Sequence, residues 1–198
     1  MNSLNIIIAG VGGQGTILAS RVLAQAALNA GLEAKTSETI GMAQREGSVQ
    51  SHIRIAAADC GPVIGRYQAD ILLGFEPAEA QRASSLVKPS GFGLVNVHPI
   101  QPVTVALGST AYPLQKIQVF LGSQPFSIKF LNAFEMAAGI GNIKTINAIM
   151  LGALVGSGRL PLSKDQVKEV LLELVPTRFR ELNGRAFELG SQSVRFDD

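Results

Sequence analysis

Thiolates are nearly absent from this chain. Its 198 residues include one cysteine, Cys60, so no intrachain disulfide can form. A cubane iron–sulfur cluster takes four thiolates, which one copy of the chain cannot supply. There are two histidines, His52 and His98, too few for an ordinary zinc site without carboxylates. Charge is also scarce: 16% of residues are Asp, Glu, Lys or Arg, against roughly 25% in an average soluble domain. Less solvated face than usual suits either packing on another subunit or large buried strands. The 17 basic and 15 acidic residues give a net charge of +2. No basic block stands out, which argues against nucleic acid as a partner. Apolar stretches such as 148–155 fall far short of a roughly 20-residue membrane span. The chain enters the apolar run Leu4–Ala9 almost at once, so no signal peptide is expected. A soluble, cytoplasmic protein is expected.

What is present begins with that run, which reads as a strand covered on both faces. Thr16–Asn29, rich in Ala and Leu with the single charge Arg21, reads as a largely buried helix with Gly31 at its C-terminal cap. Further strands are expected at 33–37, 48–56, 70–75, 93–97 and 103–107, with a loop at 40–47. Ile53 and Ile55 should face one way in the third strand, and His52 and Arg54 the other. Helices are expected at 77–85, 112–121, 134–138 and 143–155. The pair Ser163 and Gln166 has capping-box spacing and starts a helix to Leu174. A last helix spans 178–189, ended by Gly190, before a frayed tail. Stretch 128–131 is ambiguous. Strands and helices alternate, then helices dominate, which predicts one α/β domain. Its core is an open, mostly parallel sheet with helices on both faces, Rossmann-like, with a helical C-terminal part and at most about seven strands.

Gly10, Gly12 and Gly15 fit G-x-G-x-x-G between a strand and a helix. That placement allows a tight turn, close approach of a ligand, and close helix-on-strand packing. Backbone N–H groups at the helix start favour an anion. The same glycines also serve a turn that merely packs. Gln14 can cap the loop or reach a ligand. A nicotinamide site needs an acid at the end of the second strand. Glu33 stands at that strand's start, and Glu38 comes late.

A second polar group follows at 39–54. Its loop falls beyond the carboxyl ends of the strands, beside the glycine loop. Arg45 has the planar fork for a carboxylate or phosphate, or it pairs with its neighbour Glu46. His52, in mid-strand without an evident orienting group, reads as a hydrogen-bonded structural histidine. His98 precedes Pro99 in a turn expected to be exposed, and Cys60 reads as a small buried or half-buried thiol. Glu76 and Glu79 suit an ordinary helix start. No catalytic residue and no metal ligand set is assigned.

The run Gly-Val-Gly-Gly-Gln-Gly at 10–15 is joined by Gly-Met-Ala-Gln-Arg-Glu-Gly-Ser-Val at 41–49 and Ser-His-Ile-Arg at 51–54. Then come Asp-Ile-Leu-Leu-Gly-Phe-Glu at 70–76, Asn147 with Leu151-Gly152, and Asn-Gly-Arg-Ala-Phe at 183–187. Together these resemble the gamma subunit, or gamma domain, of the 2-oxoacid:ferredoxin oxidoreductases. The similarity is greatest to the small beta subunit of the indolepyruvate enzymes, and it covers nearly all of residues 1–198. The resemblance implies a multi-part enzyme that decarboxylates a 2-oxoacid, such as indolepyruvate or another aryl pyruvate, and releases an acyl-coenzyme A. Thiamine diphosphate, magnesium and iron–sulfur clusters are then expected in a large catalytic alpha subunit that passes electrons to ferredoxin. This chain would hold none of them and would be inactive alone. Gly10, Gly12, Gly13, Gln14 and Gly15 would form the cofactor-side loop, with Gln44, Arg45, Gly47 and Ser48 beside it, in reach of coenzyme A phosphates. The family pattern reads Arg-Gly-Gly where this chain has Arg45-Glu46-Gly47, and the Glu46 charge opposes a phosphate at the second loop. Two other readings stand beside this one. One is a stand-alone homodimeric scaffold or regulatory protein, and the other is a small nucleotide-binding reductase.

Overall fold

Ile6, Ile7 and Ile8 of the first strand are all fully buried, on alternating faces of a six-stranded sheet. The computed structural model describes residues 3–41, 47–56, 60–101 and 111–194. The strands are β1 (Leu4–Val11), β2 (Ala34–Ile40), β3 (Ser48–Ile55), β4 (Ala69–Gly74), β5 (Val87–Asn96) and β6 (Ser127–Leu131). The helices are α1 (Thr16–Asn29), α2 (Pro77–Ala83), α3 (Leu114–Gly122), α4 (Ala133–Ile140), α5 (Ile146–Gly156), α6 (Lys164–Leu174) and α7 (Arg180–Ser193). The strand order is β2-β3-β1-β4-β5-β6. The pairs β1–β4, β4–β5 and β5–β6 are parallel. β3 is antiparallel to both β1 and β2, so it alone runs against the other strands. The β2-to-β3 connection spans only residues 41–47, too few for the crossover of a dozen or more residues that parallel pairing needs. The expected mostly parallel sheet is therefore present, with one reversed strand.

Side chains at successive β1 positions enter two cores. Ile6 and Ile8 join Ile53, Ile55, Ile71 and Leu73 beneath α1, α5, α6 and α7. Ile7 and Ala9 join Leu72, Val95, Ala80 and Leu121 beneath α2 and α3. Helices thus cover both faces, and the larger layer is the helical C-terminal part. α1 ends in a Schellman arrangement: Gly31 takes φ +75°, Leu32 N–H donates to the Ala27 carbonyl (2.9 Å), and Gly31 N–H donates to that of Leu28 (3.0 Å). α6 has the predicted capping box, with Ser163 N–H donating to Gln166 Oε1 (2.8 Å) and Gln166 N–H to Ser163 Oγ (3.3 Å).

Several expectations are corrected. Gly190 does not end the last helix, which runs on to Ser193. It belongs to the α5–α7 crossing, where a Cβ on Gly190 would lie 2.0 Å from the Ile149 carbonyl oxygen. Cβ atoms on Gly152 and Gly156 would lie 2.0 and 2.3 Å from carbonyl oxygens of Phe187 and Ser191. These glycines let two helix backbones touch. The ambiguous stretch near 128–131 is the edge strand β6. The third strand has no solvated face at its centre, since Ser51, His52 and Ile53 are all buried. His98 is half-buried rather than exposed, with its ring stacked on Phe134 at 3.7 Å. The predicted strand at 103–107, most of the 40–47 loop and the tail from residue 195 lie outside the described residues.

Candidate functional site

β1 and β4 run parallel in register, so Ala9 and Gly74 end side by side, and the loops that follow meet at one edge of the sheet. The glycine loop leads β1 into α1. Gly15 is the N-cap of α1 at φ +83°, and a Cβ there would fall 2.9 Å from Asn147 Nδ2 of α5. A side chain at Gly10 would strike Gln14 Oε1, Thr16 and Phe75 within 2.9 Å. Gly13, at φ +92°, stands exposed with nothing near its missing side chain.

Gln14 turns inward. Its Oε1 accepts from Val11 N–H (2.9 Å) and its Nε2 donates to the Phe75 carbonyl (3.0 Å). Asn96 Nδ2 donates to the same carbonyl (3.1 Å), while Asn96 Oδ1 accepts from Ala133 N–H at the start of α4 (3.1 Å). One amide therefore closes the glycine turn, and a second ties β4, β5 and α4 behind it. Asn96 carried no sequence signal, because a polar residue at a strand end is not distinguished by periodicity.

The second loop is fastened to the first. Gly12 N–H donates to the Gly47 carbonyl (2.9 Å), and Ser48 pairs with Val11 in the β1–β3 ladder. Ser48 Oγ donates to Glu79 Oε2 (2.6 Å). Gln44 and Arg45, with Glu46, lie outside the described residues. Of the predicted site residues, Gly10, Gly12, Gly13, Gln14, Gly15, Gly47 and Ser48 thus share one edge. The rest of the polar group disperses. Arg54 sits opposite Asn5 at the other end of β1, donating to Val63 O (2.8 Å), Gln68 Oε1 (3.2 Å) and Asn5 Oδ1 (3.3 Å). His52 is structural: its Nδ1 accepts from Ile64 N–H (3.0 Å), and Gln50 meets its Nε2 (3.1 Å). Burial, then the Arg54 charge, hold its pKa below the usual 6.5.

Beside the loops lies a cavity of about 210 Å³ walled by Val11, Ser48, Glu76, Glu79, Arg82 and Tyr112. Glu76 is 2% exposed and caps α2, accepting from Glu79 N–H (2.9 Å). Tyr112 Oη donates to the other Glu76 oxygen and accepts from Ala78 N–H (3.0 Å). Burial and the Glu76 bond push the phenol well above its ordinary pKa. Arg82 pairs with Glu79. Two carboxylates against one guanidinium make this cavity unfavourable for phosphate. The anion-attracting side of the edge is the α1 N-terminus, which no side chain caps.

This topology is unsuited to a dinucleotide. β3 separates β2 from β1, so an acid on β2 stands two strand spacings, about 10 Å, from the glycine strand. Glu38 is in addition exposed on the edge strand, and Glu33 precedes β2 at its amino end. Among the described residues, no group of three or more His, Cys, Asp and Glu could hold a metal ion. Nor is any helix there long and apolar enough to cross a membrane.

Residues 5–193 match the family described as pyruvate ferredoxin/flavodoxin oxidoreductase. The chain belongs to this family. It is 39% identical over 197 residues to the indolepyruvate oxidoreductase subunit IorB of Thermococcus kodakarensis, with 98% of each chain covered. Among solved structures it is similar to the keto/oxoacid ferredoxin oxidoreductase gamma subunit from Geobacter sulfurreducens (TM-score 0.69, 26% identity, 96% of each chain). It also shares its fold with part of the 2-oxoglutarate:ferredoxin oxidoreductase from Magnetococcus marinus, whose structure holds 2-oxoglutarate, coenzyme A and succinyl-CoA. That likeness has a TM-score of 0.73 and 18% identity, and covers all of this chain but 32% of the other. Its relatives are thus parts of multi-subunit oxidoreductases, and the fold recurs as one portion of a longer polypeptide.

Proposed function

We propose that residues 1–198 form one gamma-type unit, the non-catalytic small subunit of a thiamine-dependent 2-oxoacid:ferredoxin oxidoreductase. Indolepyruvate or another aryl pyruvate is the substrate class, because the relative matched over nearly its whole length is an indolepyruvate oxidoreductase subunit. The observation that carries the reading is that full-length match on a chain with a single cysteine. The residues present do not fit an iron–sulfur cluster, so no electron step belongs to this chain. Thiamine diphosphate, magnesium and the clusters are assigned to a large catalytic subunit in the cytoplasm, which delivers electrons to ferredoxin. The uncapped α1 N-terminus with Gly12, Gly13 and Gly15 would face a phosphate of coenzyme A. Gln14 and Ser48 act in this reading as positioning residues, since their polar atoms are engaged within the chain. Gln44, Arg45 and Gly47 complete the second loop.

The test is an assay of aryl 2-oxoacid oxidation with coenzyme A and an electron acceptor. The small subunit alone should give no turnover, and the co-expressed pair should be active. Turnover by the small subunit alone would overturn the reading. For the phosphate contact, Gly13→Asp in the complex should raise KM for coenzyme A several-fold and leave KM for the 2-oxoacid unchanged. Gly13→Asn, which has similar backbone tolerance without the charge, should stay near wild type.

A further inference from the structure

A groove of about 650 Å³ runs between α4, α6 and α7, on the helical layer. Its apolar lining includes Ile140, Leu172 and Leu189, the last 39% exposed. Gly184 also lines it, inside α7. A helix-interior glycine is unfavourable relative to alanine, so its presence calls for a reason. The other α7 glycine has one, because Gly190 meets the backbone of α5 at the crossing. Gly184 has none among the described residues. A Cβ there would find only Leu172 Cδ2, at 3.7 Å, an ordinary contact. Among the described residues, the space above Gly184 is open.

The rim is charged. Lys164 and Lys168 share Glu188. Arg180 and Arg185 make no ion pair or hydrogen bond among the described residues, and Glu181 is the other acid lining the groove. Three basic side chains of the lining, Lys168, Arg180 and Arg185, against its two acids leave the rim net positive. An apolar floor beneath guanidinium groups that await partners matches an apolar anchor flanked by carboxylates.

We propose that this groove is a docking site for an acidic, amphipathic segment of the large catalytic subunit, with one apolar side chain seated over Gly184. The inference rests on the small-subunit reading above. It puts a subunit contact on the helical layer, in addition to whatever meets the glycine loop.

The test uses the co-expressed complex. A photo-reactive p-benzoylphenylalanine replacing Leu189 should cross-link to the large subunit, at a segment where acidic residues flank an apolar one. Gly184→Leu should weaken association at least tenfold, while the isolated variant melts no lower than wild type because the helix interior gains propensity. The double variant Arg180→Glu/Arg185→Glu should weaken association by a similar factor, and more at low salt than at high. A cross-link to a second copy, to the chain's own residues 195–198, or to nothing in an intact complex would overturn the inference. So would unchanged affinity in both variants. If the wild-type chain binds no large subunit, the proposed function falls and takes this inference with it. If a large subunit binds wild type and variants alike, only the groove is refuted.

Discussion

Gly190→Ala separates packing from propensity at the α5–α7 crossing. By propensity alone the change gains up to about 1 kcal/mol, since alanine is the better helix former. By packing it should lose more. The new Cβ would stand 2.0 Å from the Ile149 carbonyl oxygen, whereas a relaxed carbon–oxygen contact lies at roughly 3.3 Å or beyond. The obstacle is backbone, so no rotamer change relieves it, and the helices must part by about 1 Å at that point. A gap of that size forfeits a quarter to a half of each dispersion contact across it. The seam includes Ile149, Met150, Ala153, Ala186 and Phe187, all fully buried. Overpacking changes commonly cost about 1–3 kcal/mol, and a backbone obstacle places this one at the upper end. A net loss of about 2 kcal/mol follows, or a Tm lower by about 4–8 °C for a chain of this size. Gly139→Ala in α4 is the control. Nothing lies within 4 Å of its missing Cβ, so propensity acts alone and Tm should rise by about 2–4 °C. Thermal melts of both variants by circular dichroism decide the matter. If Gly190→Ala were neutral or stabilising, the claim that these helices touch backbone to backbone would be wrong.

Gln14→Ala should destabilise by about 1–3 kcal/mol, because it removes one partner each from Val11 N–H and the Phe75 carbonyl; urea unfolding measures this. Gln14→Glu keeps the acceptor for Val11 but sets a carboxylate oxygen against that carbonyl, so it should fare no better. Tyr112→Phe leaves the Glu76 oxygen without its hydroxyl donor and Ala78 N–H without its acceptor, at a similar cost. In an ultraviolet titration the wild type should show one tyrosine ionising far above the usual range, and the variant should lack that step. His52 has a folded pKa below its unfolded value of 6.5. Its contribution is therefore intact above pH 6.5 and is lost as pH falls toward the folded value, because the unfolded chain takes the proton first. Stability measured from pH 7 downward should decline less in His52→Asn, provided that variant folds.

Local chemistry alone specified much of this molecule. The isoleucine run, the α1 boundaries, the α6 capping box and the Gly31 cap are set by contacts within a few residues, and their signals are short-range. The glycine spacing located the loop for the same reason, and one cysteine falls short of the four thiolates a cubane cluster takes, whatever the fold. Only tertiary structure decided the rest. Strand direction is invisible in a run of alternating residues, so the reversal of β3 followed from its direct connection to β2. Gln14 donates to the Phe75 carbonyl only because β4 brings that carbonyl alongside. Gly190 looks like a helix stop in one dimension and is a helix contact in three, because its neighbour is a backbone some forty residues away in the chain. Glycines in α7 read alike as letters. What distinguishes Gly184 from Gly190 is which atoms stand opposite, and those are placed by the packing of whole helices.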